Sequence, residues 1–87
     1  MVRQTLIIKN PHGLHARPAG ELAKIATSCN CDITIIVGEK RINPKSILNI
    51  MAAGIKCGTQ IEIECSGETE AKDLDYLLNA IEQGLGE

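Results

Sequence analysis

The sequence predicts an α+β fold, a four-stranded antiparallel sheet covered on one face by three helices. Three observations carry that prediction. Apolar residues change along the chain between a period of two and a period near 3.6, and the segments so marked follow in the order β, α, β, β, α, β, α. The clearest strand, QIEIECS at 60–66, sets Ile61, Ile63 and Cys65 against Glu62, Glu64 and Ser66. A strand with one apolar and one polar side suits a sheet that is buried on one face only.

Each element has its own warrant. TLIIK at 5–9 is rich in β-branched residues and ends at Asn10-Pro11, a turn signal, so it is the first strand. After Pro18, the residues Leu22, Ala23, Ile25 and Ala26 form an apolar stripe with Glu21, Lys24 and Thr27 off it, a helix that SCNC at 28–31 interrupts. DITIIV at 32–37 is a strand, and Gly38-Glu39-Lys40 turns it into a short partner at 41–43. Ser46 is a natural N-cap for ILNIMAA, a short helix stopped by Gly54. Cys57-Gly58-Thr59 then leads into the strand at 60–66. In the last segment, 68–87, Ala71, Leu74, Leu77, Leu78 and Ile81 recur at helical spacing behind an acidic first turn, and Gly84 ends a helix whose tail is expected to fray. No repeat or linker interrupts the chain, and 87 residues make a single domain, 1–87.

Composition narrows the function. With no Trp, no Phe and one Tyr, the core must be aliphatic, and base-stacking surfaces are disfavoured. Nine Lys plus Arg against eleven Asp plus Glu leave no basic block to neutralise phosphates, so direct nucleic-acid binding is not expected. MVRQTLIIKN lacks a signal-peptide pattern and no run of apolar residues is long enough to cross a bilayer, which predicts a cytoplasmic chain without membrane insertion. In that compartment Cys29, Cys31, Cys57 and Cys65 are expected as free thiols. Cys29-Asn30-Cys31 has the spacing of a metal pair, but a closed thiolate site needs four placed ligands, so no metal is expected.

The stretch GLHARPAG at 13–20 is where chemistry concentrates. His15 falls at a helix start, beside the free backbone N–H groups of Ala16 and Arg17 and at the positive end of the helix dipole. Pro18 suits the first turn, since its missing N–H has no helical partner to lose. Gly13 permits an unusual backbone approach. A phosphoryl group on a ring nitrogen of His15 meets donors, dipole and the Arg17 guanidinium together. An ordinary capping histidine is the plainer alternative; the spacing marks an anion site and does not name a reaction.

NPHGLHARPAG at 10–20 and KSILNIMAAGI at 45–55 together resemble the HPr family, the histidine-containing phosphocarriers of the bacterial phosphoenolpyruvate-dependent sugar phosphotransferase system. The resemblance implies an open-faced β-sandwich that needs no cofactor and is not a free-standing enzyme. It implies that His15 accepts a phosphoryl group on Nδ1 from the phosphohistidine of Enzyme I and hands it to sugar-specific IIA domains, with Arg17 steadying the group. It implies that Ser46 is the regulatory serine of an ATP-dependent HPr kinase/phosphorylase. Ile47, Leu48 and Met51 become the partner-docking residues, and the serine-phosphorylated form a partner for the catabolite control protein. Because that helix is apolar nearly all round, the sequence leaves open which of its residues face the core. His12 lies outside the motif and is expected as a solvated loop residue. Three positions depart from the family's commonest pattern: Gly20 where a larger residue is frequent, Asn49 where glycine is, and Ala53 where leucine is. The competing reading is a regulatory paralogue that acts by protein binding alone.

Overall fold

The structure, a computed structural model, describes residues 1–87. Seven elements follow in the expected order: β1 (Val2–Ile7), α1 (Ala16–Ser28), β2 (Asp32–Val37), β3 (Lys40–Ile42), α2 (Ile47–Ala52), β4 (Gln60–Ser66) and α3 (Glu70–Glu82). The strands form one sheet in the spatial order β1-β4-β2-β3 with every pairing antiparallel.

Register decides which side is buried. Ile33 lies opposite Cys65, Ile35 opposite both Ile63 and Ile42, so these side chains share one face. There they pack with Leu22 and Ala26 of α1, Ile50 of α2 and Leu74, Leu77 and Ile81 of α3 in a core that is wholly aliphatic and cysteine. The other face is mostly polar, as suits an uncovered sheet, with Ile7 and Ile36 as its apolar members. At its centre Glu64 is largely buried, accepting from Arg41 Nη2 at 2.9 Å and pairing with Arg3 Nη1 at 3.5 Å.

Several boundaries differ from expectation. The first strand lies at Val2–Ile7 rather than 5–9, because the ladder with β4 runs from Val2 opposite Cys65 to Ile7 opposite Gln60. As an edge strand it tolerates Arg3 and Thr5 on its uncovered face and an exposed Gln4 opposite Ile63, whose polarity hides it in the sequence. Ile8 then turns fully into the core, its backbone still bonded to Gly58 and Thr59. β3 begins at Lys40, since the hairpin turn is the two residues Gly38-Glu39, with Gly38 at φ 60°.

α3 begins at Glu70 and exposes Ala71; the buried position of that turn is held by Asp73, which accepts from Thr69 Oγ1 at 2.6 Å and Cys31 N at 3.3 Å. The tail is not frayed. Gly84 N bonds Ile81 O at 3.1 Å and Leu85 N bonds Ala80 O at 3.2 Å, the paired bonds of a Schellman stop with Gly84 at φ 93°. Leu85 is only 2% exposed, so an apolar anchor folds the last residues back onto the body.

All four cysteines are free thiols, with only Cys57 exposed. Burial, aided by Asp73, pushes the Cys31 thiol up to about 12. No three His, Cys, Asp or Glu side chains converge as metal ligands, and no helix is long and apolar enough to cross a membrane.

Candidate functional site

The loop from β1 to α1 is held at three points. Asn10-Pro11-His12-Gly13 closes a turn through Gly13 N to Asn10 O at 2.9 Å. Gly13, at φ 67°, passes so close to the chain after α2 that a Cβ on it would lie 2.2 Å from Ile55 O. Leu14 is buried, and its N–H bonds the same Ile55 carbonyl at 2.9 Å. His15 is thereby delivered as the N-cap of α1, with extended backbone at φ −75° and ψ −169°.

The His15 side chain does not cap its own helix. Ala19 N bonds His15 O to open the helical ladder, while the amides of Ala16 and Arg17 in the first turn have no acceptor and that turn carries no acidic residue. Pro18 is buried and shapes the turn without offering a donor. Arg17 is exposed and enters no ion pair, which leaves its guanidinium without a partner. His12 is exposed as expected, its ring edge-to-face with that of His15 at 5.9 Å.

Two residues that the sequence did not mark complete the site. His15 Nε2 lies 2.8 Å from Glu87 Oε2, and Glu87 Oε1 accepts from Asn10 Nδ2 at 3.0 Å. Asn10 Nδ2 also donates to Gly84 O at 3.0 Å, tying the tail to the loop. These bonds, Asn10's foremost and then His15's, hold the Glu87 carboxyl below the usual carboxylate range. An ionised carboxylate only accepts, so the proton sits on Nε2, and in a neutral ring the free lone pair is then on Nδ1. Contacts more than seventy residues apart leave no local trace in a sequence; the one available signal was Leu85 between Gly84 and Gly86, an apolar residue following a helix stop.

Beside this site lies α2. Ser46 caps it, Oγ accepting from Asn49 N at 3.3 Å and from Asn49 Nδ2 at 3.2 Å. The question of faces resolves cleanly: Ile50 is fully buried, while Ile47, Leu48 and Met51 are 39%, 75% and 44% exposed. Ile47 packs over Gly20, where a Cβ would meet its Cδ1 at 3.4 Å, so the apolar patch of α2 abuts α1 about one turn beyond His15. The small residue at position 20 makes that close seat; nothing in the structure explains Ala53. None of the surface depressions includes His15, which stands on open surface rather than in a pocket.

Comparison with known proteins bears on the family and the fold. A family model described as "PTS HPr component phosphorylation site" matches residues 2–83. The phosphocarrier protein HPr of Mycoplasma capricolum is 47% identical over 83 residues, covering 95% of this chain and 89% of that protein. The crystal structure of an HPr from Thermoanaerobacter tengcongensis superposes with a TM-score of 0.94 at 34% identity, over 100% of this chain and 98% of that one. The Bacillus subtilis catabolite repression protein Crh is similar too, with a TM-score of 0.75 at 29% identity over 95% of both chains.

Proposed function

The chain belongs to the HPr family, the phosphocarriers of the phosphotransferase system, and from that premise we propose that His15 is the residue that carries the phosphoryl group. It is a carrier, not a free-standing enzyme. The observation that supports His15 most directly is the Glu87 bond at Nε2, which leaves Nδ1 as the nucleophilic nitrogen.

The step balances simply. Nδ1 of His15 attacks the phosphorus of the phosphohistidine on Enzyme I; the new N–P bond forms as the donor's N–P bond breaks, and no free phosphate appears. The Nε2 proton stays in place, and the positive charge gained by the ring is met by the Glu87 carboxylate. Arg17 and the amides of Ala16 and Arg17 receive the phosphoryl oxygens. Transfer to a IIA domain is the same exchange in the other direction. An exposed helix end holds the group without enclosing it, so its transfer potential is kept for the next acceptor.

Ile47, Leu48 and Met51 form the docking patch shared by successive partners, and Ser46 beside them is the regulatory site. Phosphorylation there adds about −1.5 to −2 charge next to the patch and opposes an acidic partner surface. The single domain, 1–87, then works in the cytoplasm, and its serine-phosphorylated form is the one offered to a catabolite control protein. The likeness to Crh favours a second reading, a regulatory paralogue that acts by protein binding rather than in sugar uptake.

One experiment separates the two. Incubation with Enzyme I and labelled phosphoenolpyruvate is expected to give acid-labile label that His15→Ala abolishes. Label that survives in His15→Ala, or no label from a demonstrably active donor, overturns the carrier site. Label placed only on Ser46, by ATP and kinase, establishes the regulator.

A further inference from the structure

We propose that Asn49 is a positioning residue that restrains Ser46, and the inference rests on the reading of Ser46 as a phosphorylation site. A hydroxyl oxygen has two acceptor lone pairs. Both on Ser46 Oγ are engaged, one by Asn49 N at 3.3 Å and one by Asn49 Nδ2 at 3.2 Å. The backbone bond is the ordinary N-cap and is available whatever residue stands at 49. The side-chain bond belongs to asparagine, at a position where the family frequently has glycine.

Reaction at Ser46 needs one of those lone pairs. As Oγ bonds to the γ-phosphorus of ATP, the bond from that phosphorus to the ADP oxygen breaks, ADP departs and the hydroxyl proton passes to a base of the kinase. While Asn49 donates to Oγ, only the second lone pair, also occupied, could attack. One hydrogen bond must therefore open first, and the side-chain bond is the one that can open without unwinding the cap. Asn49 is exposed, whereas the neighbouring Ile50 alone anchors α2 in the core, so the amide can swing away with the helix undisturbed. The restraint acts on the unmodified serine, whose Oγ must shed the Asn49 amide before it attacks, and it lowers the forward rate.

The test compares wild type, Asn49→Ala and Asn49→Leu with an HPr kinase/phosphorylase, following phosphoserine formation from ATP and, from the phosphorylated proteins with ADP, return of the phosphoryl group to ADP. Leucine keeps the bulk of asparagine without the amide. Both variants are expected to raise the forward kcat/KM about three- to ten-fold, the worth of one ordinary hydrogen bond. The reverse kcat/KM is expected to change less than the forward one, because free serine is not its ground state. Unchanged or slower forward rates overturn the inference and leave Ser46 as the site. So does equal acceleration in both directions, which marks a loosened helix. No phosphoserine in any of the three, with a kinase active on another HPr, overturns the Ser46 reading and the inference with it.

Discussion

Gly13→Ala tests whether the position of His15 depends on the contact beneath it. At φ 67° an alanine occupies the left-handed region, at a cost of roughly 1–2 kcal/mol. Its Cβ would stand 2.2 Å from Ile55 O and 2.8 Å from Lys56 Cα. Both obstacles are backbone, so no side-chain rotation relieves them, and the loop must lift by more than an ångström. Lifting stretches the Leu14 N to Ile55 O bond of 2.9 Å, worth about 1 kcal/mol, and overpacking of this kind typically costs about 1–3 kcal/mol. Together these predict a loss of about 3 to 6 kcal/mol, a large part of the ~5–15 kcal/mol that stabilises a small domain. Urea denaturation followed by far-UV circular dichroism measures it, and the rate of labelling from Enzyme I, under conditions where the variant remains folded, should fall because His15 moves with its loop. A loss below about 1 kcal/mol with unchanged labelling refutes the claim that the Gly13–Ile55 approach positions the site.

Other expectations follow from the same structure. Leu85→Ala, at the buried anchor of the tail, should cost about 2–3 kcal/mol in urea and slow labelling of His15 by releasing Glu87; full-rate labelling would show that the carboxylate is dispensable. Because Glu87's folded pKa is depressed, its contribution to stability is complete above the unfolded glutamate value and disappears as pH falls through the lower folded one. Carbon-13 NMR of the Glu87 carboxyl should show that low midpoint, and Asn10→Ala should raise it; an unmoved midpoint refutes the assignment. With Cys31 raised to about 12 and only Cys57 exposed, Ellman's reagent at pH 8 should titrate one thiol in the native protein and four in denaturant. Rapid reaction of a second native thiol contradicts the burial described.

Local patterns carried much of this architecture. The alternation of 60–66 marks β4 to the residue, and the Ser46 N-cap and the Gly84 stop stand where sequence chemistry places them. β1 was harder to place because half of an edge strand on an uncovered face need not be apolar. The faces of α2 could not be read from a helix apolar all round; packing alone chose Ile50 for the core. At the site, His15, Arg17 and the first-turn amides come from one continuous motif and were legible. Asn10 showed only as a turn residue and Glu87 only as a tail residue, since their meaning arises from contacts across the whole fold.

That long-range closure also sets an order of events during synthesis. His15 and Glu87 are 72 residues apart in the chain. At about 5–20 residues per second, the histidine emerges roughly 4 to 14 seconds before its acceptor is made. Through that interval the nascent chain can assemble its early strands, yet the imidazole has no partner to fix its tautomer. The contact that fixes the imidazole's tautomer therefore forms well after its own loop and helix are made, and a chain truncated before Glu87 leaves Nε2 of His15 without that carboxylate.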